Sequence, residues 1–449
     1  MEFTGSDRRG FLKQMLALGG TTALSACIGV EGDPNDDVPT GNPELVPERQ
    51  FEWNDYLAKG AHGNTLIPNH QLLLFLEYQG EDEPSESDRE ELSAALRSLE
   101  RAYQWGAGDE HRPELTRGLL FFIGYAPRYF DRFDEEPPDE LPMHPEELID
   151  HLDEDAKPDD ADAVLVMNSD RAAVVLSAEQ ALRGRLDTLN GVSVEGTLTD
   201  VFDVVDRRTG FLGAGRPSQE FDIDIPDSSP TAMGFRSGFD DNQATEDHVT
   251  IGIGPFSGGT TAQISRLTLD LDAWWELDEQ DRVQKMFSPE HTSEQVGEIG
   301  EHLGGNSQLS RETVDRRLED VADRDIVGHT QKVGAARNAN FEPRLLRRSE
   351  GVSTDLDEPG MNFLSLQQFM QAFIDVREAM NCPANGRYFA RGEDEPQADT
   401  SSGCPFHAKP TDDEDNGIVS FMEVLSRGTY LVPPRRLRSF PRPNPESAQ

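Results

Sequence analysis

The chain has 449 residues, enough for two domains of ordinary size. Its 85 Asp and Glu stand against 41 Lys and Arg, a formal net charge of −44, which argues against nucleic acid and anionic membrane surfaces as partners because like charge repels. The acid runs through the whole chain, yet apolar stretches such as "LLLFLEY" and "GLLFFIGY" exclude a disordered acidic polymer; the composition is that of a folded protein with a supercharged surface, as expected for a microbe living in strong salt.

The first segment reads as a targeting signal. "DRRGFLKQMLALGGTTALSAC" places Arg8 and Arg9 ahead of Phe11, Leu12 and Lys13 and a short apolar run, and resembles a twin-arginine export signal. The run is too short and too glycine-broken for a comfortable membrane span. It ends in "LSAC", which looks like a lipobox with Cys27 as the lipid-bearing residue. The alternative is a plain N-terminal helix or an uncleaved anchor. On the first reading, residues 1–27 are the signal and 28–54 an acidic flexible linker. The partners are then the twin-arginine export machinery and, through the anchor alone, the membrane; the protein sits at the cell surface. That route carries folded proteins, so it raises the expectation of a cofactor without naming one.

The folded part begins with an apolar run of strand length, Leu72–Tyr78. Ser87 with Glu90 reads as a capping box, and Leu92, Leu96, Leu99 and Tyr103 then recur at helical spacing. Strands are expected at Leu119–Tyr125 and Ala163–Asn168, a helix through "DRAAVVLSAEQALRGRLDTL", and a fourth strand at "DVFDVVDRR". The order is βαββαβ, the ferredoxin-like split unit. The second half repeats it: strand "AQISRLTLDL", a helix over "LDAWWELDEQDRVQKMF" starting near Asp270 or Asp272, strands "RLLRRS" and "GMNFLSLQ", helix "QQFMQAFIDVREAM" and closing strand "GTYLVPP". The expected fold is therefore α+β, two tandem ferredoxin-like domains with antiparallel sheets. They span 55–215 and 216–440, with an insertion at 383–415 and a tail at 441–449. Cys382 and Cys404 flank the polar insertion and are read as a disulfide, given export; metal binding by Cys382, Cys404 and His407 is the alternative, although the spacing matches no zinc pattern.

No Walker loop, zincin helix or nucleophile elbow is present. What the second half does contain is a series of pieces in fixed order: the glycine loop "GFRSG", the block "GGTTAQISRLTLDLDAWWELDEQ", His329 in "IVGHTQK", Arg347 in "RLLRRS", then "GMNFLSLQ" and "GTYLVPP". This series resembles the dye-decolourising (DyP-type) haem peroxidases. They carry a GxxDG loop, a "GGSY" strand leading to a "W…QE" helix, a proximal haem histidine, an "ILRR"-type strand, a "GLLFLAFQ"-type strand and a closing "PP". The resemblance covers most of 70–440, and His329 and Arg347, eighteen residues apart, stand at the family's spacing.

What the resemblance implies is a haem b iron held by His329 as the axial ligand, with the other face open. His248 and His302 are the backup ligands. Arg347 stabilises negative charge as a peroxide O–O bond breaks, and Arg348 faces away if this is a strand. Ser349 stands where many members have Asn. Gly234, Phe235 and Gly238 shape the loop that approaches the cofactor. Ser237 replaces the family's aspartate, a general acid–base, and Asp240 and Asp241 follow closely. Asp375 is a candidate to receive the second ring N–H of His329. The implied activity is oxidation of a small-molecule electron donor by hydrogen peroxide. Two alternatives stay open: a non-catalytic or weakly catalytic haem- or iron-binding surface protein, and a haem-free scaffold.

Overall fold

The computed structural model describes residues 38–57, 65–106, 116–211, 232–235, 243–297, 310–324, 326–353, 355–356, 358–381 and 417–445. In the first half, β1 (His70–Tyr78) is followed by α1 (Glu86–Ala102), β2 (Leu120–Tyr125), α2 (Pro145–Leu152), β3 (Ala163–Ser169), α3 (Ala172–Leu182) and β4 (Phe202–Phe211). Every residue of β2 and β3 is buried, which is why these segments read as unbroken apolar runs: sheet strands covered on both faces have no solvent side to mark. The capping box of α1 lies two residues before the expected Ser87–Glu90. Ser85 is the N-cap, and Asp88 accepts its backbone N–H and hydroxyl. The Tyr78 phenol also donates to Asp88, so the helix start is pinned to the end of β1, a tertiary contact that local spacing does not show.

The second half contains β5 (Thr260–Leu269), α4 (Leu271–Glu276), α5 (Glu279–Met286), α6 (Arg311–Asp315), α7 (Arg317–Arg324), α8 (His329–Ala335), β6 (Leu346–Ser353), β7 (Gly360–Gln367), α9 (Met370–Asn381) and β8 (Met422–Val432). The single helix expected after β5 is two. Asp270 caps the first, Leu277 turns extended, and Asp278 caps the second by accepting the Asp281 N–H.

Spatial order is β2-β3-β1-β4 in the first half and β6-β7-β5-β8 in the second. Each half thus shows the ferredoxin-like arrangement, fourth strand beside first, first beside third, third beside second, all antiparallel. The halves join at both edges. Phe211 of β4 pairs with Val352 of β6, and Tyr125 of β2 with Leu431 of β8, so the eight long strands form a closed ring. A two-residue strand, Lys157–Pro158, adds to β8 in parallel.

Among the described residues neither seam has a long ladder, and side chains complete both. At the first, the Asn362 amide donates to Thr209 O, and Thr209 donates through its N–H and hydroxyl to Asp355. At the second, Gln50 is inserted from the N-terminal segment. Its amide donates to Ile123 O and Pro433 O, and its carbonyl accepts the Ile123 N–H. The same segment buries Phe51 and Trp53 completely. Among the described residues no helix is long and apolar enough to cross a membrane. Residues 1–27, including Cys27, the insertion 383–415 and the pair Cys382 and Cys404 with His407 lie outside the described residues.

Candidate functional site

A cavity of about 250 Å³ lies between one face of the second-half sheet and helices α5, α8 and α9. Alternation along the strands selects its walls. Ser265, Leu267 and Leu269 of β5, and Met361 and Phe363 of β7, are two apart and line it. Leu345 and Arg347 face it in the same way.

Arg348 points to the other side. It is 1% exposed, pairs with Glu246, donates to Asn54 Oδ1 and Phe51 O, and lies over the Trp53 ring. Burial pulls its guanidinium down to about 10, against the opposing pull of Glu246, so it stays charged at neutral pH. Arg347 is anchored through its backbone N–H, which donates to Gln243 Oε1 at 2.8 Å. Ser349 pairs with Leu364 in the β6–β7 ladder.

His329 is the first residue of α8 and lines the cavity. Its position is set by its neighbours. The Gly328 N–H donates to Gln331 Oε1, and the Gln331 amide donates to Thr313 O and to Asp320 Oδ2 at 2.8 Å. A Cβ on Gly328 would stand 2.0 Å from Phe287 O, so only glycine lets α8 begin this close to the end of α5. Burial first, then the positive charges of Lys332 and Arg347, pull the imidazole down to about 3. It is neutral at ordinary pH, the form that ligates a metal. Its Nδ1 is buried with no hydrogen-bond partner among the described residues. Asp375, one candidate to receive that N–H, pairs with Arg344 at 2.9 Å and accepts from Gln371.

The glycine loop is described as far as Phe235. Trp274 Nε1 donates to Met233 O at 3.1 Å and Trp275 Nε1 to Ala232 O at 3.0 Å, so two adjacent indoles hold two successive carbonyls of the segment that leads into the loop. Gly234 has φ +87°, a conformation that glycine adopts freely. Phe235 meets Phe287 edge-on, with centroids 5.4 Å apart. Ala232, Met233 and Phe235 form part of the cavity wall. Ser237, Gly238, Asp240 and Asp241 lie outside the described residues, as does His302. His248 is exposed on a short helix, Glu246–Val249, and does not line the cavity.

Sequence reasoning did not find the charge of this cavity. Arg337, Arg344, Arg347, Arg377 and Arg427 line it, and among the described residues no Asp or Glu does. Two carboxylates stand behind the wall: Asp375 on Arg344, and Glu154, which reaches over from the first half to bind Arg377 and Arg427. Burial alone would raise the Glu154 carboxyl, but the two guanidinium groups outweigh it and hold it at about 2. Arg377 is lowered by burial and by the neighbouring Arg427. In a chain of net charge −44 the cavity is thus a local island of positive charge over an apolar floor. It suits an apolar ligand that carries anionic groups.

The fold has solved relatives. The dye-decolorizing protein from V. cholerae is 14% identical with a TM-score of 0.50, covering 86% of this chain and 98% of that one. The encapsulated DyP-type peroxidase from Mycobacterium smegmatis is 14% identical with a TM-score of 0.52, covering 87% and 99%. Identity at this level shows the fold, and the fold is that of the DyP-type proteins. No curated protein matches the chain in sequence. The profile described as "Family of unknown function (DUF7405)" matches residues 68–434; the chain belongs to that family, and it carries a divergent DyP-type fold.

Proposed function

We propose that the cavity binds haem through His329 and that the protein is an exported, surface-anchored peroxidase, oxidising a small-molecule electron donor with hydrogen peroxide. The observation that carries this reading is His329 itself: a neutral imidazole, Nδ1 sealed and unpartnered, in an apolar cavity ringed by arginines. Among the described residues no three His, Cys, Asp or Glu side chains are grouped to hold a metal ion, so a lone imidazole fits a group that brings most of its own ligands. The fold points the same way, since the solved relatives are named as dye-decolourising proteins.

When bound, haem supplies a redox-active iron at which peroxide is reduced. The residues of this chain do the rest. His329 offers an unprotonated nitrogen. Gln331 and Gly328 fix the start of its helix. Arg347 brings a permanent positive charge into the cavity, where it favours an anionic oxygen. The apolar walls exclude water and strengthen that interaction. Arg337, Arg344, Arg377 and Arg427 supply counter-charge for carboxylates at the ligand's edge.

Ser237 favours a second reading. A hydroxyl without a partner is a poor base near neutral pH, so a protein with serine in place of the family's aspartate holds or hands on haem or iron and turns over slowly, if at all. Purified holoprotein separates the readings. A Soret band that His329→Ala removes supports haem binding; a protein expressed with haem supplied and showing no such band overturns both readings and leaves the haem-free scaffold. Rapid spectral change on mixing with peroxide, accelerated by Ser237→Asp, supports the enzyme, and an unchanged spectrum supports the carrier. Export through Arg8 and Arg9 and anchoring at Cys27 belong to the same proposal; Arg8→Lys with Arg9→Lys retains the protein in the cytoplasm if it is correct. Adaptation to strong salt is tested by the urea midpoint, which rises with KCl if acid repulsion limits stability.

A further inference from the structure

Five of the eight methionines among the described residues line the cavity. They come from five separate places: Met233 in the segment before Gly234, Met286 at the end of α5, Met361 on β7, Met380 on α9 and Met422 at the start of β8. Four of them, Met233, Met286, Met361 and Met422, are partly exposed, and Met380 is 7% exposed. Met167 in β3, by contrast, is 0% exposed and Met370 is 5% exposed in the core. Leucine would fill such walls equally well. Methionine adds a polarisable thioether that reacts with peroxides and becomes polar on doing so.

We propose that this methionine wall is a modification site: peroxide entering the cavity converts the thioethers to sulfoxides, and the change switches off binding of apolar ligands there. Each event transfers one oxygen atom. The sulfur loses two electrons and gains an S–O bond, the peroxide O–O bond breaks, and the other peroxide oxygen takes up the remaining proton and leaves as water. The product places polar S–O groups on a floor otherwise made by Leu267, Leu269 and Phe363. An apolar ligand must then desolvate those groups without pairing them. The arginines are unchanged, so attraction for anions persists while the apolar grip is lost. Methionine sulfoxide reductases reverse the reaction, which makes the wall a resettable switch.

The test uses the full chain without haem, so its outcome is separate from that of the preceding reading. Protein is treated with hydrogen peroxide, and oxidation is located by peptide mass spectrometry. The probe is 8-anilinonaphthalene-1-sulfonate, an apolar anion matched to the cavity. Met233, Met286, Met361 and Met422 should gain oxygen ahead of Met167 and Met370, and probe affinity should fall roughly tenfold. Treatment with methionine sulfoxide reductases A and B should restore it. The variant carrying Met233→Leu, Met286→Leu, Met361→Leu and Met422→Leu should bind the probe and keep its affinity through the same peroxide treatment. Met361→Leu alone, a volume-conserving change on a strand, should retain part of the affinity that wild type loses. Oxidation of Met167 at the same rate as the cavity residues, unchanged probe affinity in oxidised wild type, or equal loss in the leucine variants would overturn the proposal.

Discussion

Glu154→Gln tests whether the cavity arginines are held from behind by the first half of the molecule. The Glu154 side chain is 8% exposed and bonded to both Arg377 and Arg427. Its carboxyl is held at about 2 against an ordinary value of 4.5. A folded-state value below the unfolded one means that the stabilisation is fully present above pH 4.5 and is lost as pH falls towards 2. At about 1.4 kcal/mol per pH decade, the difference corresponds to about 3 kcal/mol at pH 7, in line with the roughly 3–5 kcal/mol expected when one partner of a buried ion pair is removed. By the same linkage about 1.4 kcal/mol remains at pH 3. Urea denaturation of wild type and Glu154→Gln at the two pH values reads both quantities, and other titrating groups cancel in the difference. A gap that stays constant between pH 7 and pH 3, or one near zero at pH 7, refutes the placement of Glu154 between the two guanidinium groups.

Gly328→Ala forces a Cβ towards Phe287 O; it should cost about 1–3 kcal/mol by overpacking and, because α8 must move, weaken haem binding in a spectroscopic titration, while Ala335→Gly at the other end of α8 should leave that titration nearly unchanged. Arg348→Met leaves Glu246 buried without its guanidinium and should destabilise by roughly 3–5 kcal/mol, with Glu246→Gln added to it recovering part of the loss in a double-mutant cycle. Gln331→Ala strips the amide partner from Thr313 O and Asp320 and should cost about 1–3 kcal/mol by thermal unfolding at pH 7.

The strands were legible because their burial is local in the sequence. Leu72–Leu76, the run 119–123 and Ala163–Met167 are covered on both faces, and continuous apolar stretches announce this directly. The repeat of βαββαβ was legible for the same reason. Features that depend on distant partners were not. Ser85 rather than Ser87 caps α1 because Asp88 also receives a phenol from β1. Asp375 looked available to His329 only because its proximity to Arg344 is invisible in one dimension. Of the five cavity arginines, Arg347 was marked by its strand motif. Arg337, Arg344, Arg377 and Arg427 come from a helix end, a loop, a helix and the last strand, and no spacing rule links them. The available signal was local density, four arginines in "AARNANFEPRLLRR", and it is not specific, because "RRLRSFPR" at 435–442 is denser and lies outside the cavity. The methionine wall is dispersed in the same way, one residue per element.

Gln50 lies 383 residues from Pro433, whose carbonyl its amide holds, and Arg435 donates its backbone N–H to Glu48 O. These contacts tie the first described residues to the last strand. During synthesis the outer edge of β2 therefore waits for some three hundred residues, with its partner strand and the glutamine that completes the joint both idle. Before β8 exists the chain can assemble the first four strands but cannot shut the ring, and loss of β8 would leave the edges of β2 and β5 open to pairing between copies.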